Sequence, residues 1–303
     1  MARADPQVRF VPQTVVHVPF RTLENAFWRP QAAKLHGKHK DSLKDLADVR
    51  ATKTWQKLWL AWAREETWIN HAFNGLLLAL PDEALSNALA AAAGGHRVSA
   101  PVVVKLESAG LAGLTGDPDF IVRGEDRCVL GENKVQAHPK SHRYSFEQYA
   151  KYMTLGAMVA CAESNERREA MHLLVVPSDD LTRTCSDFEQ WRPRVVSGRL
   201  VVDPAAIQVT HSKGHFRDFA TWREHVLRRL SAPATQARWK VDVTMVEKLF
   251  SENGPALVPS YVVTWADLMA SIEASATQLA HRSAMGACQA LRRLALGQER
   301  FGT

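Results

Sequence analysis

Several common sequence signals are missing from this chain of 303 residues. It contains no run of about 18 apolar residues, which excludes an ordinary membrane-spanning helix. The longest apolar stretch, residues 73–80, is interrupted by an asparagine and a glycine. The first residues also lack the apolar segment of a secretory signal. We therefore expect a cytoplasmic protein with no membrane contact.

Cysteine is scarce, and the four cysteines lie far apart with no Cys-x-x-Cys spacing. This excludes the usual zinc-site pattern and a disulfide framework. The Gly-x-Ser-x-Gly motif of serine hydrolases and the His-Glu-x-x-His motif of zinc proteases are also missing. So is the Gly-x-x-x-x-Gly-Lys phosphate loop, and we therefore expect no ATPase motor in this chain.

Acidic residues are outnumbered by basic ones, 32 against 38, for a net charge of +6. A basic protein tends to bind polyanions, and nucleic acid is the commonest polyanion in a cell. The excess of basic residues therefore favours a nucleic-acid partner but does not establish one.

Apolar periodicity predicts helices first and strands after about residue 95. The predicted helices are residues 52–80, 83–93 and 144–163. The predicted strands are residues 98–106, 120–122, 128–135 and 171–176. The order is helix, three strands, helix, strand, which predicts an α/β fold with a small mixed sheet flanked by helices.

The rest of the chain is predicted to be mostly helical. Helices are expected at residues 216–230, 243–250, 265–274 and 283–296, short strands at 200–202 and 207–210, and a linker at 231–237. We predict an N-terminal extension with added helices (residues 1–50), a core (51–178) and an α-rich C-terminal region (179–303). Whether that last region belongs to the same domain stays open.

The residues that suggest chemistry lie on two neighbouring predicted strands. Asp119 follows Pro118 at the start of one strand, and Glu132 and Lys134 lie on the next. If the strands form a hairpin, the two carboxylates meet at one end of the sheet. Positions i and i+2 of a strand share a face, so Glu132 and Lys134 are expected to point the same way.

This set of residues suits hydrolysis of a phosphodiester. Two carboxylates and a main-chain carbonyl, that of Asn133, are the oxygen ligands that Mg²⁺ prefers. Bound metal lowers the pKa of water and neutralises phosphate charge. Lys134 can orient that water or stabilise the developing negative charge.

At these residues the sequence resembles the PD-(D/E)xK nuclease superfamily. Its pattern is an Asp on one strand, then Glu or Asp, any residue and Lys on the next. Pro118-Asp119 and Glu132-Asn133-Lys134 fill that pattern, including the proline. The resemblance covers residues 55–176. It implies a restriction-endonuclease-like core and DNA cleavage that depends on Mg²⁺ or Mn²⁺.

A second match narrows the resemblance. Gln148 and Tyr152 fit the Gln-x-x-x-Tyr signature of the lambda-exonuclease and RecB-like branch, where such residues lie by the catalytic centre. Because i and i+4 share a face of a helix, Tyr144, Gln148 and Tyr152 are predicted to form one stripe beside the active site. The resemblance thus implies catalytic roles for Gln148 and Tyr152.

The branch also implies an acidic metal ligand from the helix before the sheet. We prefer Glu66, because Glu66, Asn70 and Asn74 fall on one helical face. Glu65 and Glu107 are the alternatives.

A basic loop follows the strand that carries the lysine, and we expect it to contact phosphates. The candidate nucleic-acid contacts are Lys140, His142, Arg143 and Tyr144. With no motor of its own, a nuclease of this branch is expected to work with a helicase or recombination protein. The sequence leaves open whether the biological role is phage recombination, antiphage defence, restriction or that of a delivered toxin. It also leaves open DNA against RNA as the substrate, and exonuclease against endonuclease action. The alternative is a catalytically silent module that keeps the nuclease fold to bind nucleic acid or protein.

Overall fold

The computed structural model describes residues 66–104, 118–134, 143–161, 169–178, 180–202, 219–253, 258–278, 285–286 and 288. The chain divides into two compact units, one of residues 1–79 with 286–303 and one of residues 80–285. In the first unit the structure describes helix α1 (Glu66–Ala79). The predicted N-terminal extension, residues 1–50, lies outside the described residues. The predicted domain boundaries remain a prediction.

A seven-stranded mixed sheet runs through the second unit. In spatial order its strands are β1 (Val102–Val104), β2 (Phe120–Arg123), β3 (Arg127–Asn133), β4 (Glu169–Val176), β7 (Ser260–Thr264), β6 (Arg199–Val201) and β5 (Arg194–Val196). Strands β1 to β3 form an antiparallel meander, β4 and β7 run parallel to β3, and β6 and β5 are antiparallel additions. The predicted α/β fold with a mixed sheet is confirmed.

Helices cover both faces of this sheet. They are α2 (Asp82–Ala92), α3 (Phe146–Ala160), α4 (Leu181–Thr184), α5 (Phe188–Trp191), α6 (Phe219–Leu230), α7 (Pro233–Trp239), α8 (Val243–Asn253) and α9 (Trp265–Gln278). Helix α3 shares a core with β3, β4, α6 and α8, while α2 and α9 pack on each other and on β7. None of the described helices is long and apolar enough to cross a membrane.

Most of the predicted elements that fall on described residues are confirmed to within a few residues. The first part of the helix predicted at residues 52–80 and most of the one predicted at 283–296 lie outside the described residues. The predicted linker at residues 231–237 is wrong, because Pro233 begins helix α7. Proline is well suited to a first helical turn, where its missing N–H has no partner to lose. Strands β5 and β7 were not predicted. The expected strand at residues 207–210 lies outside the described residues.

The two central strands position the site. Strands β3 and β4 are buried along almost their whole length, as expected for strands covered on both faces. Glu132 and Lys134 therefore belong to a buried strand end and not to an exposed edge.

Candidate active site

The β2–β3 hairpin brings Asp119 and Glu132 together, as predicted. Phe120 pairs with Gly131, so the next step of the register puts Asp119 opposite Glu132. The Asp119 N–H donates to the Gly131 carbonyl at 2.9 Å, and Asp119 Oδ2 accepts from the Asn133 N–H at 2.7 Å. These bonds fix both the backbone and the carboxylate of Asp119 against the end of β3.

Glu132 is a buried carboxylate with three side-chain donors. It is 5% exposed, and Lys134 Nζ lies 2.5 Å from its Oε1. Gln148 Nε2 donates to the same oxygen at 3.1 Å, and the Tyr152 hydroxyl donates to Oε2. Burying a carboxylate is costly unless it is paired and hydrogen-bonded, and these donors offset that cost. The predicted placement of Gln148 and Tyr152 beside the Asp119–Glu132–Lys134 cluster is confirmed.

The start of α3 explains how Gln148 reaches Glu132. Ser145 caps the helix: its Oγ accepts from the Gln148 N–H, and Gln148 Oε1 accepts from the Ser145 N–H, each at 3.1 Å. Because the amide oxygen of Gln148 serves the cap, its NH₂ group faces Glu132. The capping box therefore orients the side chain that donates to Glu132 as well as starting a helix.

Tyr152 lies one helical turn after Gln148. Its hydroxyl is also 3.2 Å from the Gly131 carbonyl oxygen. Burial, followed by the negative charge of Glu132, raises the pKa of Tyr152 well above its ordinary value. The hydroxyl therefore stays protonated and remains a donor to Glu132 at any working pH.

Lys134 is held through its backbone by two other elements. It is 4% exposed, its N–H donates to the Val175 carbonyl at 2.7 Å, and its carbonyl accepts from Trp265 Nε1 at 3.0 Å. Strand β4 and the first residue of α9 thus anchor the end of β3. Sequence analysis missed Trp265, and a tryptophan at a helix start carries no signal that would have indicated this contact.

Tyr144 does not extend the stripe to the acidic cluster. The residue precedes the Ser145 cap, so it lies off the helix and the i, i+4 relation does not apply to it. Its backbone instead bonds to Thr184 and Ser186. The side chain is fully buried, and its hydroxyl lies 2.9 Å from His172 Nε2. Tyr144 therefore offers no exposed surface to a nucleic acid, contrary to the prediction.

The other predicted site residues are only partly described. Lys140 and His142 lie outside the described residues, and Arg143 is half-buried just before Tyr144. Glu66 begins α1 in the other unit, so its metal role stays a prediction. Asn133 is fully buried, and its N–H donates to Asp119; ligation by its carbonyl also remains a prediction.

The carboxylate oxygens of Asp119 and Glu132 are ligands of the type that suits a hard divalent cation. A carboxylate offers about four lone-pair sites, so the three donors at Glu132 leave room for one more interaction. Within the described residues there is no group of three or more His, Cys, Asp or Glu suited to a metal. Mg²⁺ is commonly held by one or two carboxylates, with waters and substrate phosphate completing its shell. Asp119 and Glu132 supply two carboxylates of this type.

Comparisons with protein-family models, with curated proteins and with solved structures found no match to this chain. No family is shown. The functional assignment therefore rests on the geometry of the Asp119–Glu132–Lys134 cluster and on the motif that predicted it.

Proposed function

We propose that this chain is a metal-dependent nuclease that hydrolyses the phosphodiester bonds of DNA. One observation carries the proposal: a buried Glu132, held by Lys134, Gln148 and Tyr152, lies opposite Asp119 at the end of a hairpin. The element order from α2 to β4 supports a restriction-endonuclease-like core, because it is helix, three strands, helix, strand.

Each side chain has a distinct role in this proposal. Asp119 and Glu132, with the Asn133 carbonyl, would hold Mg²⁺ or Mn²⁺, and the ion would lower the pKa of a water and neutralise phosphate charge. The Lys134 ammonium stabilises negative charge as it develops on the phosphate. Gln148 and Tyr152 act on Glu132, keeping its carboxylate turned toward Asp119.

The structure also contains an observation that favours the alternative, a silent binding module. Glu132 already has a cation partner, Lys134, so the buried charge is neutralised without any metal. A nuclease fold that has lost catalysis can keep such a pair for stability. The two candidates differ in one measurable property, since only the nuclease cleaves DNA when a divalent cation is added.

The test is cleavage of linear and circular DNA, single- and double-stranded, with Mg²⁺, Mn²⁺ or EDTA. We expect cleavage that EDTA abolishes, and that Asp119→Asn and Glu132→Gln abolish while leaving the fold intact. These variants keep the side-chain shape and remove the charge that a hard cation needs. Glu125→Ala is the matched control, because Glu125 is an exposed carboxylate at the opposite end of the same hairpin. It should retain full activity.

The outcomes separate the candidates. Full activity in both site variants would overturn the active-site assignment. DNA binding without cleavage in any cation would favour the silent module. Cleavage of linear DNA but not of circular DNA would identify an exonuclease.

A further inference from the structure

A second pair of buried polar side chains, Tyr144 and His172, lies next to the Tyr152 ring. His172 on β4 and Tyr144 are both fully buried, and the Tyr144 hydroxyl is 2.9 Å from His172 Nε2. His172 pairs with Leu130 on β3, two positions before Glu132. Because side chains two positions apart share a face, His172 lies on the same face of the sheet as Glu132.

Burying these two polar side chains in an apolar core costs folding free energy. The pair is enclosed by the apolar core that α3 shares with β3 and β4. Burial lowers the pKa of His172 to about 3, so the imidazole is neutral. His172 Nδ1 is buried and has no hydrogen-bond partner among the described residues. An apolar side chain would fill the same space without leaving a polar atom unsatisfied, so the pair calls for another explanation.

The pair contacts the site at Tyr152. The His172 ring packs edge-on against the Tyr152 ring, with centroids 4.3 Å apart and planes at 71°. The Tyr152 hydroxyl in turn donates to Glu132 Oε2. The Tyr144 hydrogen bond fixes the rotation of the imidazole, and the imidazole limits where the Tyr152 ring can lie.

We propose that His172 and Tyr144 are positioning residues, which hold the Tyr152 ring and through its hydroxyl the Glu132 carboxylate in the geometry that binds the metal. This inference rests on the proposed nuclease function. Outer residues that orient metal ligands in this way commonly change metal affinity by about 10–100-fold when they are replaced.

The experiment measures metal binding directly. Mn²⁺ is titrated by calorimetry into the full chain without DNA, and cleavage is measured separately against Mn²⁺ concentration. The variants are Tyr144→Phe, His172→Phe and the double variant. Tyr149→Phe is the control, because Tyr149 is a buried tyrosine on α3, the helix that carries Tyr152, and its ring packs against Phe146 and Trp191.

We expect each single variant to weaken Mn²⁺ binding by about tenfold and to raise the Mn²⁺ concentration for half-maximal cleavage in parallel. The double variant should be no weaker than the worse single, because the two residues act through one contact. Tyr149→Phe should change thermal stability without changing Mn²⁺ affinity. Should His172→Phe fail to fold, Tyr144→Phe, which removes one oxygen atom, decides the question.

Unchanged Mn²⁺ affinity in Tyr144→Phe, with a wild type that binds Mn²⁺ and cleaves DNA, overturns the positioning role and leaves the nuclease intact. A wild type that neither binds Mn²⁺ nor cleaves overturns both. An equal loss of Mn²⁺ affinity in Tyr149→Phe also overturns the inference, since it would reflect general loosening of the core.

Discussion

Removing one hydroxyl group, in Tyr152→Phe, tests the geometry around Glu132 with little change in shape. Lys134 and Gln148 both act on Oε1, so this variant leaves Oε2 without its tyrosine donor. A hydrogen bond to a charged group contributes about 1.5–3 kcal/mol. If that energy is needed in the transition state, each ~1.4 kcal/mol lost lowers the rate tenfold. The expected loss in kcat is therefore about 10–100-fold.

The assay is single-turnover cleavage of a short labelled DNA in saturating Mn²⁺, repeated over a range of salt. The salt dependence of binding should not change, because the hydroxyl carries no charge and releases no counterion. In the wild type, burial and Glu132 raise the pKa of Tyr152 well above its ordinary value. The rate should therefore show no loss from tyrosine ionisation up to about pH 10. Tyr149→Phe on the same helix again serves as the control.

A Tyr152→Phe variant that cleaves at the wild-type rate would refute this reasoning. It would mean that Glu132 holds its position through Lys134 and Gln148 alone. Weaker DNA binding by this variant would instead show that the hydroxyl acts on the nucleic-acid backbone rather than on Glu132.

Three further predictions concern the same region. Lys134→Ala should lose most turnover yet keep DNA binding measured in Ca²⁺, because in the proposed function the lysine acts on the transition state. Full activity of Lys134→Arg would contradict the need for a compact charge. The pKa of His172 is lowered by burial from 6.5 to about 3. Below about pH 6.5 only the unfolded state takes up this proton, so urea unfolding should show about 2 kcal/mol of stability lost by about pH 5 through this group. His172→Phe should lack that component, and an identical pH profile in the variant would refute it. In Gly131→Ala the new Cβ would lie 2.0 Å from the Phe120 ring. We therefore expect overpacking to lower the free energy of unfolding by about 1–3 kcal/mol, measured by thermal unfolding. Unchanged stability would contradict the close packing of Gly131 against Phe120.

The face on which each central site residue lies was predictable from the sequence, because the strand and helix periodicities determine it. Strand parity puts Glu132 and Lys134 on one face, and the helical repeat puts Gln148 and Tyr152 on one side of a helix. That these two faces meet was implied by the resemblance to the nuclease branch. Neither relation depends on the rest of the chain. The structure bears out both, with direct hydrogen bonds from Gln148 and Tyr152 to Glu132.

Other features depend on contacts that local periodicity does not reveal. Strand β7 has five residues and runs directly into α9, so no turn residues separate the strand from the helix. Its place beside β4 comes from pairing across a long separation in the chain. Tyr144 was misplaced for a related reason, since the Ser145 cap decides whether the helical repeat reaches it. His172 offered a weak clue, as a polar residue within the apolar strand β4.

The hydrogen bond from Trp265 to the Lys134 carbonyl joins residues 131 positions apart. A ribosome adds about 5–20 residues per second, so this interval takes on the order of ten seconds. During that time the growing chain already contains Asp119, Glu132 and Lys134, but β4 lacks its neighbour β7 and the end of β3 lacks its tryptophan anchor. The residues of the Asp119–Glu132–Lys134 cluster are therefore synthesised well before the part of the fold that holds them, so the cluster is assembled only some time after its own residues have been made.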